Sequence, residues 1–516
     1  MAGDGSAAGN ASAADGLRED ATMAAGGGQG TDTFNTLDTF DTFMSAVDLA
    51  RAYRRGEARP DEVVEAHLAR AERLQPHLNA LVLIDHDGAR RSAAAATERW
   101  KLGVPRSPLD GVPVTIKDIV MMAGFPMRSG SVTTSEQACL VDAPAVARLR
   151  EAGAVIVGKT TTSEFGWKGM TDTALCGVTR NPWNLAHTPG GSSGGAASSL
   201  AAGIGTIAFG NDGGGSIRIP ASYCGLVGIK PTFGRVPHAP MDSPFSLSVA
   251  GGPIARTVHD AARFLNELCR PDHRDPWAIP YDGRDWSIGL DEGVSGLRVG
   301  YTTELGGATV WDHDVEVAWR AALDALADSG ARLVEVDRIF APLRPRFEEH
   351  WKAGFANILR GIGRDRWEEC DPGFLSLARE GLDVPISAFS TAMAARSELI
   401  VTMADFHQDI DVLVTPTMPT VAPRTDVVYH FSEFDRWTHA VPYTLPFNLT
   451  GQPAGSIPAG VSRGGLPIGV QVVAARFRED LVLRAGRALE SALGFAQPHP
   501  TLRTALETVD LEETPS

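Results

Sequence analysis

Apolar residues recur at helical spacing in Phe43, Ala46, Val47 and Ala50, and again in Val64, Leu68, Ala71 and Leu74. That period sets one face of each segment against a core and predicts two helices. The second opens on Pro60, Asp61 and Glu62, where a missing N–H and negative charge both suit a helix N-terminus. After about residue 105 the pattern changes to short apolar runs. Strands are predicted over 112–116 and 154–157, with a helix over 143–152 between them. Further strands are predicted at 297–301, 332–336, 412–415 and 468–473, with helices at 315–326 and 481–493. This alternation implies an α/β architecture around a largely buried sheet. No repeat or linker divides residues 43–500, so one large domain is expected there. Residues 1–42 carry almost no branched apolar side chains and are expected to form a disordered tail. Residues 501–516 are expected to form an acidic C-terminal end.

Composition narrows the classes of function. The 516 residues are 43% hydrophobic and 21% charged, ordinary for a soluble globular chain. A net charge of −16 argues against nucleic acid or an anionic membrane surface as partner. Part of that charge is peripheral, since Asp4, Asp15, Glu19, Asp20, Asp32, Asp38 and Asp41 face only Arg18 in the N-terminal stretch. Cys139, Cys176, Cys224, Cys269 and Cys370 are scattered and odd in number, which fits reduced thiols in a cytoplasm. The thirteen histidines show no metal-ligand spacing, so no metal or other cofactor is expected. Neither a signal peptide nor a membrane-spanning run is apparent.

Residues 190–228 are crowded with Gly, Ser and Ala, yet Ile217, Ile219, Leu226, Val227 and Ile229 anchor them. That combination suits backbone N–H groups facing a ligand better than it suits a linker. Two short motifs compete for attention. Gly153 to Thr160 satisfies the P-loop expression, but the residues between its glycines form an apolar strand instead of a phosphate-cradling turn. Gly190-Gly191-Ser192-Ser193-Gly194 satisfies the nucleophile-elbow expression, but a loop with two prolines precedes it where that motif needs a strand. An esterase built on Ser192 therefore stands as an alternative, with His259 and His439 as candidate bases.

The segment Asp212-Gly213-Gly214-Gly215-Ser216-Ile217-Arg218 carries more information. Three glycines before a serine leave successive N–H groups unobstructed, and these can converge on a carbonyl oxygen that gains charge. Such donors are worth roughly 10² to 10³ each in rate. Lys117 ends the apolar run Val112 to Ile116. A buried lysine is disfavoured as an ammonium, and a fall of roughly 3 in its pKa, about 4 kcal/mol, would make it a base near pH 7. The plain alternative is a snorkelling lysine paired with Asp118.

Together these pieces resemble the amidase signature family. The resemblance rests on VTIKD around Lys117, PGGSSGG around Ser192 and GNDGGGSIRIPASYCGLVGIKPTFGRVP around Ser216. It continues through GPIARTV, LVTPTMP and FNLTGQPAGSIPAG, covering about residues 43 to 495. It implies a mixed central sheet covered by helices on both sides, and no cofactor. It implies Ser216 as nucleophile, Lys117 as neutral base, and Ser192 as the serine between them, joined to Gly191 by a cis peptide bond. The oxyanion hole would come from the N–H groups of Gly213, Gly214, Gly215 and Ser216, supported by Ser193, Asp212 and Arg218. Asn211 and Gly213 depart from the threonine and the larger residue often found there in relatives.

A small-molecule amide is the expected substrate, with esters and carbamates open to the same acyl transfer, and a homodimer is one assembly this permits. Specificity is expected between residues 339 and 437, where Phe347, Trp351, Phe355, Trp367, Phe374, Phe389 and Phe406 either line an apolar pocket or, more often for such residues, fill a core. The family reading leaves a second function open, glutamine-dependent amidotransfer serving transfer RNA, with this chain as one subunit of the enzyme.

Overall fold

The computed structural model describes residues 40–240, 247–306, 312–426, 441–495 and 497–511. The tail expected over residues 1–42 lies outside them up to residue 39. Thr42 is buried, and its carbonyl accepts a hydrogen bond from Arg256 at 3.3 Å. The first helix, Ala46–Arg55, starts at Ser45, whose side chain accepts from the Asp48 N–H, and stops at Gly56 in the left-handed conformation. The second, Pro60–Leu78, starts with Pro60 in its first turn, as expected.

The strands in chain order are β1 (Leu81–Ile84), β2 (Pro113–Lys117), β3 (Val155–Thr160), β4 (Asp172–Thr173), β5 (Gly177–Val178) and β6 (Ile207–Asp212). They continue with β7 (Val227–Lys230), β8 (Ala250–Ala255), β9 (Arg298–Tyr301) and β10 (Arg332–Glu335). The last three are β11 (Val412–Pro416), β12 (Ala454–Val461) and β13 (Pro467–Ala474). All six strands predicted from the sequence are present, as β2, β3, β9, β10, β11 and β13. Among the described residues eleven strands form one sheet, ordered β1-β3-β2-β6-β8-β7-β12-β13-β11-β9-β10, while β4 and β5 pair separately. β2 runs parallel to β3 and β6, whereas β6, β7, β8, β12 and β13 pair antiparallel. The sheet is mixed.

Helices cover both faces. Successive residues of a strand point to opposite sides, and here they enter two different cores. Ala208, Ile254, Leu413 and Val473 join one; Ile207, Phe209, Ala255, Val412, Val414, Val472 and Ala474 join the other. The end expected over residues 501–516 carries the helix Pro500–Leu511, with Leu502, Leu506 and Val509 buried in the first core. Residues 512–516 of that end lie outside the described residues.

Candidate active site

β2 lies between β3 and β6 and is buried along its whole length, so its last residue, Lys117, projects an amine into the interior. Its Nζ donates to Ser192 Oγ at 2.7 Å and approaches the Asn211 carbonyl at 3.5 Å. Burial pushes the Lys117 pKa down to about 7, against the opposing pull of Asp212. The snorkelling alternative fails. Lys117 is fully buried, and Asp118 pairs with Lys159 instead, at 2.6 Å, with both side chains buried. Lys159, the lysine of the P-loop expression, also donates to the Pro126 carbonyl at 2.6 Å and sits on strand β3, so that segment cradles no phosphate.

Ser192 stands in a loop that ends at the helix Gly194–Ala201, and the Gly191–Ser192 peptide bond is cis. A side chain on Gly191 would collide with the Met170 backbone at 2.6 Å, so only glycine lets this loop sit so deep. Ser193 ties the loop to its neighbours: its N–H donates to the Ser216 carbonyl at 3.2 Å and its Oγ to the Asn211 carbonyl at 3.3 Å. The elbow alternative loses its support here, because no strand leads into Ser192 and an amine instead of an imidazole meets its hydroxyl. His259 sits 3.4 Å from Asp291 near the surface, and His439 lies outside the described residues.

β6 ends on Asp212, a turn over 213–217 follows, and the helix Arg218–Cys224 begins directly after it. Asp212 draws that turn around its carboxylate. Gly215 N–H donates to Oδ1 at 2.8 Å, Ile217 N–H to Oδ2 at 3.1 Å, and Arg218 Nε to Oδ2 at 2.9 Å. Burial alone would raise the Asp212 pKa, but the Arg218 guanidinium beside it holds the carboxyl well below the usual carboxylate range. Gly215 has φ +130°, and a Cβ there would lie 2.3 Å from Thr444 Oγ1. The expectation for the oxyanion hole changes at this position: with its N–H engaged by Asp212, Gly215 is not a free donor. The N–H groups of Gly213, Gly214 and Ser216 make no hydrogen bond among the described residues, and neither does Ser216 Oγ. Ser216 is 8% exposed.

Sequence reasoning missed the far side of this turn. Arg218, fully buried, donates through Nη1 to the Thr444 carbonyl at 2.9 Å and Gln471 Oε1 at 2.7 Å, and through Nη2 to Asn448 Oδ1 at 2.6 Å. Asn448 returns a hydrogen bond to the Asp212 carbonyl at 2.8 Å. A cavity of about 460 Å³ adjoins the site and is bounded by Asn211, Phe165 and Val249. Of the described part of the span expected to set specificity, only Asn357, Ile358 and Gly361 reach it. Trp351, Phe355 and Phe374 are buried in the first core and Trp367 and Phe406 pack against it, as bulky residues usually do, while the side chain of Phe347 is outside the description. Most of the wall comes from residues 119–145 and 237–240.

A sequence profile described as Amidase matches residues 62–483. The chain belongs to the amidase signature family, and it is an amidase. An acylamidase of Rhodococcus erythropolis is 34% identical over 472 residues, covering 89% of this chain and 97% of that protein. One component of the glutamyl-tRNA(Gln) amidotransferase of Roseiflexus sp. (strain RS-1) is also 34% identical, over 483 residues, covering 89% and 98%. Among solved structures, a bacterial aryl acylamidase of the same family superposes with a TM-score of 0.81 at 28% identity, covering 92% of this chain and 99% of that one. No helix among the described residues is long and apolar enough to cross a membrane.

Proposed function

We propose that this amidase cleaves the carbon–nitrogen bond of small, uncharged or aryl-containing amides through an acyl-enzyme on Ser216. The observation that carries this reading is the buried Lys117 amine, held near neutrality at physiological pH and 2.7 Å from Ser192 Oγ. A serine hydroxyl is a poor nucleophile until a base takes its proton. Neutral Lys117 accepts the proton of Ser192, which accepts that of Ser216 as Ser216 Oγ bonds to the substrate carbonyl carbon. The free N–H groups of Gly213, Gly214 and Ser216 receive the developing oxyanion, and Asp212 with Arg218 holds the turn that aims them. The same relay run backwards protonates the departing amine, and a water then releases the acid. The Ser192–Ser216 hydrogen bond closes as substrate enters, since catalytic contacts commonly tighten only in the complex. The five free cysteines fit a reducing compartment, the cytoplasm.

Intact-mass analysis after mixing with a slowly deacylated aryl amide or carbamate tests the assignment. Wild type should gain one acyl group mapped to Ser216, and Ser216→Ala none. An adduct on Ser192 would transfer the nucleophile's role there. The relative from Roseiflexus favours a second reading, glutamine-dependent amidotransfer in a complex. Turnover of aryl amides by the isolated chain, with glutamine a poor substrate, would exclude it.

A further inference from the structure

The cavity that reaches the turn through Asn211 and Val249 has an apolar wall that includes Ile119, Met121, Met127, Phe165, Phe209 and Ile358. Among the described residues that line it, none is Asp, Glu, Lys or Arg. It therefore suits a neutral, largely apolar group, because an uncompensated charge there would be costly. Ser129, Thr134, His238 and Asn357 also line it, but the polar side chain nearest the proposed nucleophile in sequence is Asn211. It is nine-tenths buried on β6, two residues from Phe209 and so on the same face of the strand, and both residues line the cavity. Its main-chain carbonyl accepts from Ser193 and faces Lys117. Its side-chain carboxamide, with two N–H donors and one acceptor oxygen, has no hydrogen-bond partner among the described residues. The carboxamide is not sealed from solvent, so its donors and acceptor open onto the cavity that Asn211 lines. One residue from Asp212, it is placed to meet a polar atom of a substrate.

We propose that Asn211 is a specificity-determining residue, whose carboxamide hydrogen-bonds an uncharged polar atom carried on the apolar body of the substrate. This rests on the hydrolase reading above. The preferred amides are then those with a second neutral donor or acceptor besides the scissile group, and plain hydrocarbon amides of equal size are served less well. A site built around a hydrogen bond rejects the analogue that lacks it, because the protein's own polar group is left buried and unpaired.

Benzamide and its three ring-nitrogen isosteres, picolinamide, nicotinamide and isonicotinamide, probe this at constant shape. In wild type, kcat/KM for at least one isostere should exceed that for benzamide by roughly fivefold to thirtyfold, the size of one buried hydrogen bond. Asn211→Leu, close in volume but without polar atoms, should collapse that ratio toward one, mainly through KM for the favoured isostere. Asn211→Ser serves as a second variant should the leucine variant fail to fold, with thermal denaturation reporting which are native. A ratio that persists in both variants, or that is absent from wild type, overturns the role of Asn211 while leaving the hydrolase reading intact. No acylation of Ser216 by any of the four amides, nor by the aryl carbamate, sinks both.

Discussion

At the scale of single residues, two buried lysines on neighbouring strands have different partners. Lys159 meets Asp118 at 2.6 Å, whereas Lys117 meets a hydroxyl and a distant carbonyl and loses its proton near pH 7. If neutral Lys117 is the base, kcat/KM should be flat above about pH 7 and fall about tenfold per unit below it. A pH–rate profile measures this. Lys117→Met should lower kcat/KM by about 10² to 10⁴-fold and erase the acid limb. Stability gives an independent reading. The folded chain holds this proton more weakly than the unfolded chain does, so the unfolded form binds more protons between about pH 7 and the ordinary value of 10.5. The stability of wild type relative to Lys117→Met should therefore rise across that window and be lowest below pH 7. Paired urea titrations at pH 6 and pH 9 check the sign. The sequence held most of this: a lysine closing an apolar strand already signals an amine forced toward neutrality. It could not say which lysine Asp118 chooses, because that depends on the register of β2 against β3.

The working unit at the next scale is a strand, a turn and a helix, and Asp212 and Arg218 close it like a buckle. The carboxylate gathers N–H groups from inside the turn, while the guanidinium reaches outward to Thr444, Asn448 and Gln471. Arg218→Met would leave Asp212 buried without its guanidinium, an uncompensated charge costing about 3–5 kcal/mol. The expected result is a large drop in the urea midpoint together with loss of activity. Ser216→Ala, which removes only a hydroxyl that makes no hydrogen bond among the described residues, should stay within about 1 kcal/mol of wild type. Equal midpoints for the two variants would mean that the buckle does not hold the turn. The spacing from Asp212 to Arg218 is legible in the sequence. Its outer partners are not, since they lie 226, 230 and 253 residues further on and no local pattern joins them. The same limit hides the engagement of Gly215, whose N–H is indistinguishable in sequence from those of its neighbours and is set apart only by the fold of the turn around Asp212.

For the molecule as a whole, the question is how a helix carrying polar machinery sits so close to the sheet. The strands that the periodicity did not reveal are instructive: β8 reads AGGPIA and β12 AGSIPAGV. They are buried on both faces, lack alternation and are rich in small residues, so neither period 2 nor period 3.6 stands out. Their smallness has a use. The helix Arg218–Cys224 rests on β7 at Gly228, where a Cβ would lie 2.6 Å from Ala221 Cβ and 3.0 Å from the Ile217 carbonyl. At Gly469 of β13 a Cβ would lie 2.8 Å from Ser222 Oγ, which accepts the Gly469 N–H at 3.0 Å. The helix is thus set against bare backbone on two strands.

Gly228→Ala is then a lever on the whole arrangement. All three atoms nearest the new methyl group belong to the helix or the residue that caps it, and one is main chain, so relief comes only by lifting the helix from the sheet. Overpacking of this kind costs about 1–3 kcal/mol. Lifting also moves Arg218 and Ser216 away from Asp212 and Ser192, so the rate of acylation should fall further than the stability loss alone accounts for when measured well below the unfolding midpoint. Gly464→Ala is the matched control: its only near neighbour is Ser462 Oγ at 3.7 Å, and it should change the midpoint by less than about 0.5 kcal/mol. A Gly228→Ala enzyme with a lowered midpoint but wild-type acylation would show that the sheet supports the helix without setting the geometry of the serine. Loss of both together, with the control intact, would trace the placement of Ser216 to the missing side chains beneath it.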